Sequence, residues 1–156
     1  MRKKDREVLN EEKIDKIISD CYCCRLGLQD EGRIYIVPLS FGYEKENSRR
    51  IFYFHSAKEG RKIDLIRKNG YAGFELDTNY TLKEGVNACS YSAAFQSVTG
   101  SGKMLFVNEP EEKKKALSLI MHHNTGKEEW EFSEEMLEAV CVFKLEAEEL
   151  SCKENL

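Results

Sequence analysis

At 156 residues, with 41% hydrophobic and 33% charged residues, the chain has the size and balance of one soluble domain built on a single core. Its net charge of −4 argues against general nucleic-acid or membrane binding. No apolar run approaches the roughly 20 residues that span a bilayer, and the start, MRKKDREV, has no secretory h-region, so a cytoplasmic protein is expected.

In that compartment the six cysteines, Cys21, Cys23, Cys24, Cys89, Cys141 and Cys152, are expected to be reduced. Cys21-Tyr22-Cys23-Cys24 lacks the paired C-x₂-C of a structural zinc site and reads as small apolar residues of a buried strand, so no metal is assigned.

Asn10 is placed to cap a first helix, in which Ile14, Ile17, Ile18 and Cys21 follow helical spacing. Cys23 to Gln29 reads as a strand, the turn Asp30-Glu31-Gly32 follows, and Arg33 to Tyr43 reads as its hairpin partner. Pro38 removes a ladder N–H, which implies an edge, a bulge or a ligand-facing stretch. Lys45 to Arg49 is a polar turn, Arg50 to Ser56 a third strand, and Gly60 to Asn69 a short helix stopped by Gly70.

Tyr71 to Asp77 is a fourth strand and Thr78 to Asn87 a loop. Ser90 to Val107 is a long β segment, bent at Gly100 and Gly102 and divisible there into two strands. Asn108 and Glu111 form a capping box for a helix reaching about His122, with Pro110 in its first turn. Ser133 to Glu138 is a short helix and Ala139 to Leu150 the last strand. The domain spans residues 1–150, and 151–156 form a polar tail. Five or six strands with few helices do not alternate as a doubly wound sheet does; they fit a mainly β, α+β antiparallel barrel with peripheral helices.

Charge is unevenly spread. Arg49 to Lys68 holds seven basic and two acidic residues, while Asn108 to Glu138 holds four basic and nine acidic ones. Within the first run, a strand passes through His55 and Ser56 into a helix that begins Arg61-Lys62. Ser56 and Glu59 have capping-box spacing. Two cations at a helix start oppose the macrodipole, and a bound phosphate, held by the helix N-terminus and both side chains, resolves that conflict. The plainer reading of such a run is a solvated face.

Several pieces in fixed order then resemble a known family. They are Arg2-Lys-Lys-Asp-Arg-Glu7, Arg25-Leu-Gly-Leu28, Tyr35-Ile-Val-Pro-Leu-Ser-Phe-Gly-Tyr43 and Phe52-Tyr-Phe-His-Ser-Ala57. Gly60-Arg-Lys-Ile-Asp-Leu65, Cys89-Ser-Tyr-Ser92, Ser97-Val98, Gly100 and Gly102 follow. Together they are similar to the pyridoxamine 5′-phosphate oxidase-like flavin-binding proteins, in the branch that includes nitroimidazole-resistance proteins. The resemblance implies an antiparallel split β-barrel, a homodimer, and FMN near the subunit interface. It implies that Pro38, Leu39, Ser40 and Phe41 line the flavin ring and that His55 and Ser56 lie along its ribityl-phosphate tail. Arg61 and Lys62 would hold the phosphate, and Gln96 and Ser97 would approach from the long β segment, from the same chain or the other. Phe95 stands where many relatives carry Tyr.

The implied function is that of an FMN-dependent oxidoreductase acting on a small-molecule acceptor, nitroaromatic or quinone-like. His55 is the candidate proton donor or acceptor, weighed against a hydrogen-bonded structural role. The alternative is a non-catalytic protein that stores or senses flavin, deazaflavin or haem, since one fold carries all these uses. His122 and His123 end a helix, where a cation suits the dipole. Trp130 and Phe132 read as packing residues.

Overall fold

The computed structural model of the protein describes residues 4–156. Arg2 and Lys3 of the basic start lie outside the described residues. Lys4–Arg6 form a 3-10 turn, and the Val8 amide donates to the Cys152 carbonyl at 3.0 Å, which lays the start of the chain on the last strand.

Seven strands form one antiparallel sheet: β1 (Cys24–Asp30), β2 (Arg33–Leu39), β3 (Gly42–Glu46), β4 (Arg49–Ser56), β5 (Tyr71–Lys83), β6 (Ser92–Val107) and β7 (Cys141–Asn155). Their order is β2-β1-β5-β6-β7-β4-β3. The two edge strands are therefore consecutive in sequence. Laid flat, seven strands would set those edges roughly 29 Å apart, at about 4.8 Å per neighbour. Yet Leu39 and Gly42 are only three residue steps apart, a reach of at most about 11 Å. The sheet must curl until its edges approach without pairing. That is a split β-barrel, with Ser40–Phe41 as the strap across the split.

Among the described residues four α-helices flank it: α1 (Glu11–Asp20), α2 (Arg61–Asn69), α3 (Pro110–Thr125) and α4 (Glu134–Ala139). Asn10 caps α1, its side chain accepting from the Lys13 amide at 2.8 Å. Ile14, Ile17 and Ile18 of α1 and Ile63, Leu65 and Ile66 of α2 enter the barrel core with Leu26, Leu28, Phe52, Phe54 and Phe143. Alternation along β4 sends Ile51 and Tyr53 the other way, into a second cluster with Ala116, Leu117 and Ile120 of α3 and Leu137 of α4. So β4 is covered on both faces, and Phe132 packs at the rim of the second cluster.

Several expectations need correction. Arg33 to Tyr43 is not one strand, because the strap breaks it; Gly42–Glu46 starts a separate hairpin with β4, and the polar turn shrinks to Asn47–Ser48. Thr78 to Asn87 is not all loop: β5 continues to Lys83 across a register shift between Thr78 and Thr81. Gly100 and Gly102 do not divide the long segment. β6 runs unbroken past them, and its pairing with β7 shifts between Ser101 and Gly102. Both positions need glycine for close approach: a Cβ would lie 2.2 Å from the Glu149 oxygen at Gly100, and 2.0 Å from the Glu146 oxygen at Gly102. The α3 cap is Glu109 rather than Asn108, its carboxylate accepting from the Glu111 and Glu112 amides. Residues 151–155 are not a free tail; they finish β7, with Cys152 paired to Val98.

Cys21 and Cys24 are buried in the barrel core, and burial pushes the Cys21 thiol up to about 12 and the Cys24 thiol well above its ordinary value. No described helix is long and apolar enough to cross a membrane.

Candidate functional site

The structure sorts the basic run Arg49–Lys68 into paired and unpaired charges. Arg49 pairs with Glu146. Arg50, only 8% exposed, is fixed by Asp15 at 3.0 Å and Glu11 at 2.7 Å and is structural. Arg61 pairs with Asp30, both its Nε (3.0 Å) and one terminal nitrogen (2.7 Å) donating to the same oxygen, and it stacks 4.4 Å over the Tyr35 ring. Arg67 and Lys68 have only loose contacts, with Asp64 at 3.8 Å and Glu31 at 4.0 Å. Among the described residues, Lys58 and Lys62 have no carboxylate partner. Lys62 is half-buried.

The start of α2 is also uncapped. Gly60 occupies the cap position at φ 132°, a conformation that disfavours any side chain, and no side chain accepts from the first turn. The expected Ser56–Glu59 capping box is absent: the Ser56 hydroxyl donates instead to the Ala57 carbonyl at 2.7 Å. The Ile63 and Asp64 amides turn back to the Gly60 carbonyl, which leaves those of Arg61 and Lys62 with no acceptor inside the helix. Free amides, a positive dipole end and a half-buried unpaired lysine meet at one point.

His55 and Ser56 end β4, opposite Val142 and Cys141 of β7. His55 is exposed and has no hydrogen-bond partner among the described residues. Gly42 pairs with Tyr53, so the strap Ser40–Phe41 enters the sheet within two residues of His55. Pro38 lies on edge strand β2, where its missing N–H costs nothing, opposite Arg25; Leu39 lies opposite Cys24. Tyr35, where Arg61 stacks, and Pro38–Leu39 are three to four residues apart, roughly 10–13 Å of strand.

Within the strap, Phe41 turns its ring into the core, 4.2 Å from the His123 ring and 5.8 Å from Phe52, so it presents backbone rather than ring to any ligand. His123 Nε2 lies 2.6 Å from the Cys21 carbonyl. A carbonyl only accepts, so Nε2 carries the proton. Burial lowers the His123 pKa, and the helix-end cation expected at this position is a neutral imidazole.

Gln96 and Ser97 are not gathered into this group. They lie near one end of β6, while Val107, beside the Val142–His55 row, lies ten residues further on, roughly 33 Å along the strand. The Gln96 amide is spent within the chain, donating to Glu154 at 3.1 Å and accepting from Asn79 at 2.7 Å. Asp30 and Tyr35, which hold Arg61, were not legible as site residues, because nothing local in the sequence links the β1–β2 turn to a helix thirty positions later.

Residues 10–154 match the family described as pyridoxamine 5′-phosphate oxidase. The chain belongs to this family. Among solved structures it is 32% identical to a candidate 5-nitroimidazole antibiotic resistance protein of Bacteroides thetaiotaomicron, covering 94% of this chain and 85% of that one at a TM-score of 0.81. The fold is shared with the flavocytochrome Anf3 of Azotobacter vinelandii (19% identity, TM-score 0.81, 100% and 72% covered). It is shared too with an FAD- and haem-binding protein of Mycobacterium smegmatis (12% identity, TM-score 0.78, 96% and 73% covered). A comparison with curated proteins finds no match.

Proposed function

We propose that the protein is an FMN-binding oxidoreductase, active as a homodimer on a small organic acceptor such as a nitroaromatic or quinone. The observation that carries this reading is the start of α2. Among the described residues its Arg61 and Lys62 amides have no acceptor and Lys62 has no carboxylate partner, and Gly60 leaves room for close approach. A phosphate dianion fits that donor set. The sequence resemblance supports the flavin, and the likeness to a candidate 5-nitroimidazole antibiotic resistance protein supports a nitroaromatic acceptor.

Flavin, when bound, supplies the electron and hydride transfer. The chain's residues would do the rest. Lys62 and the α2 amides fix the phosphate, with Arg61 a weaker partner because Asp30 already holds it. The β2 edge and the strap orient the ring; the strap offers the Ser40 backbone and hydroxyl, since the Phe41 carbonyl accepts from Asn124 at 3.4 Å. Neither the strap nor Pro38–Leu39 contains an acid or base, which favours a reaction whose protons come from solvent or from His55 at the end of β4.

Homodimerisation is supported by the outer face of the barrel. Ile34 and Ile36 are 68% and 63% exposed on edge strand β2, beside the bare backbones of Gly27 and Gly73. It would also explain Gln96 and Ser97, too far along β6 to join the α2 site of their own chain. Steady-state oxidation of NAD(P)H by the FMN-loaded protein, with and without a nitroaromatic or quinone, tests the reading. Acceptor-dependent turnover is expected; FMN binding without turnover would make the protein a carrier.

A further inference from the structure

A cavity of about 410 Å³ lies where the end of β6 and the start of β7 meet the β4–α2 loop, the last turn of α2 and the first turns of α3. Lys58, Arg67 and Lys113 line it with Asn108, Phe106 and Cys141, and among the described residues no carboxylate does. Lys58 has no carboxylate partner among the described residues, Arg67 has only Asp64 at 3.8 Å, and Lys113 is shared with the neighbouring cavity, so cations dominate this hollow in a chain of net charge −4. The neighbouring cavity of about 460 Å³, between α3 and α4, shows the ordinary balance, with Glu111, Glu134 and Glu138 facing Lys113 and Lys114.

The cations are placed differently. The Lys113 ammonium donates to the Leu137 (2.5 Å) and Val140 (2.9 Å) carbonyls, which fix its position without neutralising it. Arg67 lies 5.8 Å from the Phe106 ring centre, so one wall joins a planar cation to an aromatic face. Lys58 is exposed at the mouth. The half-buried Cys141 thiol is raised by burial, against the opposing fields of Lys113, Arg67, Lys58 and Lys62. Lys58, two residues before Gly60, carries the hollow toward the α2 anchor, but the hollow shares neither Arg61 nor Lys62 with it.

We propose that this cavity is a second phosphate-recognising subsite, one that takes the phosphate of a nucleotide with its base against the Phe106–Arg67 wall. Lys58 and Lys113 suit a phosphate dianion, and Arg67 with Phe106 offers the flat contact that a base requires and inorganic phosphate does not use. The nucleotide is either the second half of a flavin dinucleotide or a separate nucleotide. That choice of source rests on the flavin reading; the subsite does not.

Calorimetric titration with AMP tests the proposal, on the purified protein and on Lys58→Ala/Arg67→Ala, whose side chains are both exposed. AMP should bind the native protein more tightly than inorganic phosphate does. It should lose at least tenfold in affinity in the double variant, keep it in Lys62→Ala, and slow alkylation of Cys141 mapped by peptide mass spectrometry. If the nucleotide is half of a dinucleotide, the double variant weakens FAD and spares FMN. If it is separate, AMP binds the FMN-loaded protein unchanged and FAD gains nothing over FMN. Absence of AMP binding at millimolar concentration overturns the proposal. So does a double variant that weakens FMN as much as AMP while Lys62→Ala weakens neither, since the cavity would then be the flavin's own phosphate site. AMP binding by a protein that takes up no flavin would refute the function proposed above and leave the subsite standing.

Discussion

Replacing Lys62 with Ala should separate two flavins that differ by one group. FMN carries a phosphate and riboflavin does not, so only FMN should lose affinity. Lys62 is half-buried and has no carboxylate among the described residues, so its ammonium need not abandon a partner to meet a phosphate. A charge-assisted hydrogen bond of that kind contributes about 1.5–3 kcal/mol, or about tenfold to a hundredfold in affinity. Arg61 differs. Its guanidinium is 56% exposed, already pairs with Asp30 and stacks on Tyr35, so a phosphate gains only the difference between two anions. Arg61→Ala should therefore cost less, below about 1 kcal/mol. Asp30→Asn should release Arg61 and tighten FMN a few fold without altering riboflavin. Fluorescence titration of the three variants with both flavins measures all of this. Equal losses for FMN and riboflavin in Lys62→Ala, or none for either, would refute the assignment of the α2 start as a phosphate anchor.

Further outcomes follow from other parts of the molecule. Ile36→Lys, which puts a charge on the exposed β2 face, should convert the expected dimer to monomer in sedimentation velocity and lower flavin occupancy with it. Gly42→Ala should destabilise the fold by about 1–3 kcal/mol, because the new Cβ would lie 2.6 Å from the Ile120 amide nitrogen where α3 crosses β3; thermal unfolding reads this as a loss of several degrees. The His123 pKa is depressed in the folded state, so the unfolded chain takes up a proton first as pH falls. Stability from this residue is whole above the ordinary histidine pKa of 6.5 and declines below it, by at most about 1.4 kcal/mol per pH unit. Urea midpoints between pH 7.5 and 5.5 should show that decline, and His123→Gln should flatten it.

Local chemistry made much of the architecture legible. Asn10 capped its helix as its type requires, Pro38 lies on an edge strand, one of the three readings open to it, and Gly70 stopped α2 in a left-handed conformation. Arg50 to Ser56 read as a strand, and its two faces, Ile51 and Tyr53 against Phe52 and Phe54, each have their own cluster. What failed was set by distant parts of the chain. Ser56 and Glu59 have capping-box spacing, but β4 carries Ser56 to the end of a paired strand, out of reach of the helix start. Residues 151–155 are polar enough to fray, yet the neighbouring β6 and the start of the chain provide partners for their backbone. The helix-start cations read as one motif; only the tertiary structure shows that Asp30 claims Arg61 and leaves Lys62 unpaired. Gln96 and Ser97 followed the α2 residues in the resemblance, whereas the sheet register separates them by most of the length of β6.

Flavin uptake tests the central claim most directly. The purified protein would be incubated with excess FMN, passed through a desalting column, and its visible absorption spectrum recorded. A protein-bound flavin spectrum is expected, close to one FMN per chain and reduced by Lys62→Ala. A colourless protein fraction with all the flavin in the salt volume, or a Soret band in its place after purification, would contradict it.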